Sequence, residues 1–197
     1  AIVAAYLSKL KIEEILKSIH KIKPTKGRFE KIGNLKNNSN VILDYAHTPH
    51  ALKTAILDIK EEFPLSKISL VFGCGGDRDK YKRSIMGSIA KKYCDEIYLT
   101  DDNPRTEDPA SIRKTLIKHS SSPIEIPNRR KAIKFGISYI KKNDGILIIA
   151  GKGHEEEQIY KNKILTISDK QIIKKNKLKI NKISSKEKNF ISAELPL

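Results

Sequence analysis

The stretch that decides the fold runs from residue 68 to residue 80 and reads ISLVFGCGGDRDK. Its first five residues are apolar apart from Ser69, which is typical of a short buried strand. The glycines that follow indicate a tight turn, because glycine adopts backbone conformations that other residues avoid. A helical pattern from about Lys82 to Tyr93 comes next. Strand, glycine turn and helix in this order predict one β-α unit of a parallel sheet.

The same unit recurs on both sides of this stretch. Short apolar runs alternate with helical segments, and proline stands at the first position of two of these helices. Other apolar runs lie at residues 41–43, 97–99 and 146–150, an edge strand at 124–126, and helices at 49–62, 109–119 and 129–141. We therefore expect an α/β, Rossmann-like fold with a mostly parallel sheet flanked by helices. A hairpin around Asn162 and a last helix capped by Ser168 complete the prediction.

The net charge of +16 is concentrated at the two ends of the chain. Residues 1–36 and 174–188 each carry a net charge of +6, whereas the longer span 37–173 carries only +5. Because the body is close to balance, we expect no nucleic-acid partner. No apolar run approaches the roughly 18 residues of a membrane span, so no membrane partner is expected either. Two cysteines without metal-ligand spacing are typical of a cytoplasmic protein.

Four unusual stretches follow the predicted strands. In open α/β sheets, ligands bind beyond the carboxyl ends of the strands, so we expect the four stretches to form one site. They read DYAHTPHAL (44–52), GCGGDRDKYKR (73–83), TDDNPRTEDP (100–109) and GKGHEEE (151–157).

The stretch 100–109 crowds four carboxylates around Arg105. It is either a solvated turn with helix-capping chemistry or a rigid cradle for a charged small molecule. Arginine presents a planar fork of donors that matches a carboxylate, and Asn103 can both donate and accept. Asp108 precedes Pro109 and is expected to cap the next helix. Together with Arg78 and Glu155 from neighbouring stretches, Asn103 and Arg105 predict a site for a zwitterionic amino acid.

Other candidate residues allow two interpretations. Asp44 could bind a ribose hydroxyl or cap a turn, and His47 could belong to the site or form a structural hydrogen bond. The glycine loop lacks a dinucleotide fingerprint, because Arg78 occupies the third glycine position. The stretch GKGH is not a Walker A loop, since Gly153 replaces the required Ser or Thr.

Taken in order, these four stretches resemble the carboxy-terminal part of the Mur ligase family, over roughly residues 1–173. The motif DNPR resembles the recognition motif of members that add meso-diaminopimelate, and GRFE (27–30) resembles the segment joining the central and terminal domains. The resemblance implies a meso-diaminopimelate site formed by Arg78, Asp102, Asn103, Pro104, Arg105, Gly151 and Glu155. It also places Arg28, Asp44 and His47 near the nucleotide.

The resemblance further implies a whole enzyme with three domains. Such a cytoplasmic ligase uses ATP and Mg²⁺, bound mainly by a central domain, to join meso-diaminopimelate to UDP-N-acetylmuramoyl-L-Ala-D-Glu through an acyl phosphate during peptidoglycan synthesis. By resemblance, residues 1–23 end that central domain, 24–175 form the terminal amino-acid-binding domain, and 176–197 form a lysine-rich, loosely ordered tail. Since the chain has no P-loop and does not begin with Met, we expect a fragment that holds no catalytic residue or metal ligand and is inactive without the upstream domains.

Three alternatives remain at the level of sequence. The same cationic pocket could belong to a ligase that adds lysine, although lysine has no second carboxylate to pair with Arg105. A non-catalytic amino-acid-binding domain would show the same motifs. An RNA-binding module would use the positive charge, but aromatic residues for base stacking make up only 6% of the chain.

Overall fold

The computed structural model of the chain describes residues 2–19, 21, 25–35, 37 and 39–176. The expected boundary at residues 23 and 24 and nearly all of the lysine-rich tail lie outside these residues. No helix in the described ranges is long and apolar enough to cross a membrane.

Six strands form the main sheet, and the five of them that were predicted from the apolar runs are confirmed. They are β1 (Glu30–Asn34), β2 (Asn40–Asp44), β3 (Ile68–Phe72), β4 (Glu96–Leu99), β5 (Ile124–Glu125) and β6 (Ile146–Ala150). Their order across the sheet is β1-β2-β6-β3-β4-β5. All neighbours are parallel except β1, which runs antiparallel to β2. The expected Rossmann-like α/β fold is confirmed.

Strand β1 is not predicted by the sequence pattern. Its residues, EKIGN, include a single large apolar side chain, Ile32, which is buried. The pairing with β2 shifts register between Lys31 and Gly33, so the strand lacks a regular alternation. An irregular edge strand of this kind gives too weak a periodic signal to be detected from sequence.

The described residues contain seven helices, of which the last five have the positions expected from the sequence. They are α1 (Ile2–Leu7), α2 (Ile12–Ile19), α3 (Pro49–Glu62), α4 (Tyr81–Tyr93), α5 (Pro109–His119), α6 (Arg129–Asn143) and α7 (Asp169–Lys175). Caps explain several starts: Thr48 and Asp108 accept hydrogen bonds from backbone N–H groups of the first turns of α3 and α5. Ser168 stands at the cap position of α7, but its side chain makes no capping hydrogen bond, so that prediction is correct in place only.

Two apolar layers enclose the sheet. Side chains of α3, α4 and α5, among them Ile56 and Met86, pack on one face, and side chains of α6 and α7, such as Ile137, pack on the other. Strand β6 lies between β2 and β3 in the sheet. Helix α3, which connects β2 to β3, packs on the opposite face from α6. The carboxyl ends of β2, β6, β3 and β4 meet at one edge, where ligands of open α/β sheets bind.

A separate two-stranded hairpin lies beside this edge. It consists of β7 (Glu157–Tyr160) and β8 (Lys163–Thr166), as predicted around Asn162. An isolated bridge pairs Tyr160 with Arg105, so the hairpin continues the sheet structure into the stretch 100–109.

Candidate functional site

A cavity of about 670 Å³ opens at the carboxyl edge of the sheet. Each of the four unusual stretches contributes to its walls, so the expectation that they converge is confirmed by their positions. Its lining residues are Tyr45, His47, Thr48, Pro49, Gly73, Cys74, Gly75, Arg78, Asp79, Lys82, Asp102, Asn103, Arg105, Gly151 and Glu155.

Six of the seven residues expected to bind the amino acid line this cavity. The exception is Pro104, which is buried and lies behind the wall. Its carbonyl accepts the N–H of Glu107 at 3.1 Å, and a Cβ on Gly76 would stand 1.9 Å from the same oxygen. Pro104 thus shapes the loop backbone, and only glycine at position 76 allows the two loops to approach so closely.

Asn103 and Glu155 form the polar centre of the cavity. The Asn103 side chain donates from Nδ2 to Glu155 Oε2 at 3.2 Å, and its Oδ1 accepts from the backbone N–H of Ile159 at 3.0 Å. The other Glu155 oxygen accepts from the hydroxyl of Tyr45 at 2.9 Å, and this hydrogen bond raises the pKa of Tyr45. Glu155 therefore holds a fixed negative charge at the cavity wall, suited to an ammonium group.

Arg105 is held in a defined orientation. Its backbone is left-handed with φ of 53°, and its N–H donates to the carbonyl of Ile159 at 2.9 Å. Nη1 of the guanidinium donates to the carbonyls of Gly76 at 2.9 Å and Asn103 at 3.3 Å. Backbone carbonyls thus orient the group while its positive charge is left without an ion pair among the described residues.

Arg78 supplies the second cation of the cavity in a different setting. Its side chain is exposed, and no carboxylate in the described part of the chain pairs with it. Lys82 lies nearby in the same wall and donates to the carbonyl of His47 at 2.9 Å. This side of the cavity is therefore positively charged and open to solvent.

Three of the four carboxylates of the stretch 100–109 stabilise the loop itself. Asp101 pairs with Arg113, and Asp108 caps α5 with a pKa lowered by hydrogen bonds from Ser111. Glu107 pairs with Arg83 at 2.9 Å, and this hydrogen-bonded pair lowers the Glu107 pKa to about 2. The fourth carboxylate, Asp102, lines the cavity. The stretch 100–109 therefore combines the two interpretations given by the sequence. Asp101, Glu107 and Asp108 cap a helix or form ion pairs that stabilise the loop, and the loop in turn supports a charged wall of the cavity.

The residues expected near a nucleotide form a cluster beside the cavity. His47 and Tyr45 line the cavity, and the Arg28 guanidinium lies 5.4 Å from the centre of the Tyr45 ring. Asp44 does not line it, because its carboxylate accepts the N–H groups of Phe29 at 2.6 Å and Ala46 at 2.7 Å. These hydrogen bonds give Asp44 a turn-capping role, in which it anchors the segment that carries Arg28.

Sequence reasoning missed several residues of the cavity and its support. Tyr45 and Lys82 line it, and Lys152 is completely buried behind Asn103 and Glu155. Cys74 also lines it, and burial raises the pKa of its thiol to about 12, which favours the neutral thiol near pH 7. The one sequence signal for Lys152 was its position between two glycines after a buried strand.

No group of three or more His, Cys, Asp or Glu side chains able to hold a metal ion occurs in the part of the chain that the structure describes. The carboxylates near the cavity instead accept hydrogen bonds from neighbouring protein groups, as Glu155 and Asp44 do.

Comparison with known families decides the relationship of the chain. The family described as "Mur ligase, glutamate ligase domain" matches residues 27–153. The chain belongs to the Mur ligase family. Within that family, a UDP-N-acetylmuramoyl-L-alanyl-D-glutamate–2,6-diaminopimelate ligase of Rickettsia typhi is 41% identical over 196 residues, covering 98% of this chain and 39% of the relative. A relative of the same name from Buchnera aphidicola is 47% identical over 83% of this chain and 32% of its own length.

Solved structures agree with this membership. A structure of a UDP-N-acetylmuramoyl-L-alanyl-D-glutamate–2,6-diaminopimelate ligase is similar with a TM-score of 0.68 and 32% identity, over 89% of this chain and 36% of that one. The Mycobacterium tuberculosis folylpolyglutamate synthase, 19% identical, shares the fold with a TM-score of 0.61, over 76% of this chain and 34% of that one. The chain thus spans well under half the length of these Mur ligase relatives.

Proposed function

We propose that the cavity binds meso-diaminopimelate as the acceptor amino acid of an ATP-dependent Mur ligase. The observation that carries the proposal is the placement of Arg105, Asn103 and Glu155 around one cavity, with Arg105 oriented but without an ion pair among the described residues. The names of the Rickettsia and Buchnera relatives support the same substrate.

The charges of the cavity match the charges of this amino acid. Meso-diaminopimelate carries a carboxylate and an ammonium at each end, and arginine pairs with carboxylates through two parallel hydrogen bonds. Arg105 and Arg78 are the candidate partners of the carboxylates, and Glu155 and Asp102 those of an ammonium. The attacking amine has to be neutral and correctly placed, and holding the other end of the molecule rigidly achieves that placement.

The wider reaction follows from the same proposal. A ligase of this kind, acting in the cytoplasm, would join the amine of meso-diaminopimelate to UDP-N-acetylmuramoyl-L-Ala-D-Glu in peptidoglycan synthesis. ATP would activate a carboxylate of UDP-N-acetylmuramoyl-L-Ala-D-Glu as an acyl phosphate, with Mg²⁺ held by other domains of the protein. In this chain, the candidate contacts of the nucleotide are Arg28, Asp44 and His47, which lie around Tyr45.

Lysine as the substrate is a weaker alternative on physical grounds. Lysine has no second carboxylate, so one arginine of the cavity would be covered by the ligand without gaining a partner, which costs binding free energy. A non-catalytic amino-acid-binding role would use the same cavity, and only turnover by the complete protein separates that role from the ligase.

The direct test is a titration of the isotope-labelled chain with meso-diaminopimelate and, separately, with L-lysine, followed by NMR of the backbone amides. We expect meso-diaminopimelate alone to shift the signals of residues 78, 102–105 and 151–155. An equal response to L-lysine would support the lysine-adding alternative. A folded sample that responds to neither amino acid would contradict binding by this part of the protein.

A further inference from the structure

Lys152 is a completely buried lysine whose ammonium group lies directly behind the polar centre of the cavity. Its Nζ donates to the backbone carbonyl of Glu157 and lies 3.5 Å both from Asn103 Oδ1 and from Glu155 Oε2. The side chain does not line the cavity itself. A buried ammonium needs hydrogen-bond acceptors on every side, and here two of its three acceptors belong to cavity residues.

Lys152 is one of the partners that set which way the Asn103 amide points. The Oδ1 atom of Asn103 faces two donors, the ammonium of Lys152 and the N–H of Ile159. A flipped amide would direct its NH₂ group at both donors and its oxygen at the Glu155 carboxylate, so every contact would be repulsive. The observed orientation instead directs Nδ2 towards Glu155 and the cavity.

Lys152 also balances the charge of Glu155. Glu155 is about one-third exposed at its side chain, and it receives hydrogen bonds from Tyr45 and Asn103 as well as the ion pair with Lys152. Without the ammonium, the carboxylate would keep its two neutral donors but lose its only cation within ion-pair distance among the described residues. Its position and hydrogen bonds would then be less defined.

We propose that Lys152 is a positioning residue that fixes the amide of Asn103 and the carboxylate of Glu155 in the orientations that recognise the amino acid. Lys152 acts through these two residues and does not touch the ligand. The proposal extends the function proposed above, on which its ligand-binding part rests. The orientation of Asn103 in the ligand-free protein does not depend on which amino acid binds.

The test compares Lys152→Met with the unchanged chain. Methionine has a similar length but no charge and no donor. In the ligand-free protein, we expect the side-chain NH₂ signals of Asn103 to move, with their assignment given by their loss in Asn103→Asp. Loss of one charged hydrogen-bond partner predicts binding of meso-diaminopimelate weaker by about tenfold to a hundredfold. Selectivity over L-lysine should fall with it.

Lys170→Met is the matched control. Lys170 also forms an ion pair, with Glu30, but it lies outside the cavity lining. This variant should leave both the Asn103 signals and the affinity for meso-diaminopimelate unchanged. A folded Lys152→Met chain with unmoved Asn103 signals and unchanged affinity would overturn the proposal.

A measurement on the unchanged chain covers the case in which Lys152→Met does not fold. In protein with ¹⁵N-labelled lysine side chains, the Nζ signal of Lys152 should shift during a titration with meso-diaminopimelate, together with the Asn103 NH₂ signals. Movement of Asn103 without movement of Lys152 would overturn the positioning role. If no cavity signal responds to the amino acid, the proposed function fails, and the Asn103 signals of a folded, ligand-free Lys152→Met chain decide the positioning role separately.

Discussion

The two arginines of the cavity stand in contrasting surroundings. Arg105 is half-buried, its Nη1 bonded to two carbonyls and its backbone paired with the hairpin β7–β8. Arg78 is exposed, on a loop tip, and the structure gives it no ion pair within the described residues. The Arg105 side chain is therefore oriented before a ligand arrives. The Arg78 side chain, on the other wall of the cavity, has no comparable contacts to orient it within the described residues.

This difference bears on the free energy that each arginine contributes to binding. Ordering a long side chain on binding costs conformational entropy, about 0.5–1.5 kcal/mol for each immobilised side chain. Arg105 is already ordered and partly shielded from water, so most of its interaction with a carboxylate appears as affinity. Arg78 has to be ordered and desolvated first, so we expect it to contribute less to affinity and more to the attraction of anions.

The largest expected effect is that of Arg105→Ala. A hydrogen bond to a charged group contributes about 1.5–3 kcal/mol, so affinity for meso-diaminopimelate should fall roughly tenfold to a hundredfold. The preference over L-lysine should disappear, because the second carboxylate of meso-diaminopimelate loses its partner. Isothermal titration calorimetry with both amino acids measures the two effects together.

Arg130→Ala is the control for this variant. Arg130 is an exposed arginine of α6 outside the cavity lining, so its removal changes the net charge equally without touching the site. Its affinity should match that of the unchanged chain. Retained selectivity in Arg105→Ala would contradict the assignment of this residue to the ligand.

A smaller loss is expected for Arg78→Ala. Exposed ion pairs contribute about 0.2–1 kcal/mol, which predicts an affinity reduced by about twofold to fivefold. The loss should shrink at high salt, because exposed charges are screened, whereas the Arg105→Ala loss should persist. Equal losses and equal salt dependence in the two variants would show that both walls are equivalent and would remove the contrast.

The sequence predicts the fold and the cavity wall well because both depend on local patterns. Apolar runs between helices give the parallel sheet, and the rule that ligands bind at the carboxyl ends of strands brings Arg78, Asn103, Arg105 and Glu155 together. Asp108 is predicted as a helix cap from its place before Pro109, and the structure confirms that cap. In each case, neighbouring residues along the chain carry the information.

What the sequence does not predict depends on contacts between distant residues. Lys152 meets Asn103 across 49 positions, and buried Arg129 pairs with Asp169 across 40. Apart from its position between two glycines, nothing near Lys152 in the chain distinguishes it from an exposed lysine, since burial is decided by the hairpin and the loop that fold over it. Strand β1 was missed for a related reason, because its register depends on β2 rather than on its own pattern.

The smallest effect concerns the link between the two walls. Glu107 bonds to Arg83 of α4 and accepts the N–H of Asp77 at 2.7 Å, next to Arg78. Its pKa is lowered from 4.5 to about 2. A lowered pKa stabilises the folded chain at pH values above 4.5, and the contribution is lost as the pH falls from about 4.5 towards 2.

Glu107→Gln should therefore reduce the free energy of unfolding by about 1 kcal/mol near pH 7, as expected for a partly exposed pair. The difference from the unchanged chain should shrink as the pH falls from about 4.5 towards 2, because Glu107 then becomes protonated and, like glutamine, neutral. Urea unfolding at a series of pH values measures this difference. A difference that stays constant down to that pH would show that Glu107 holds the two walls together by shape and neutral hydrogen bonds, with no contribution from its charge.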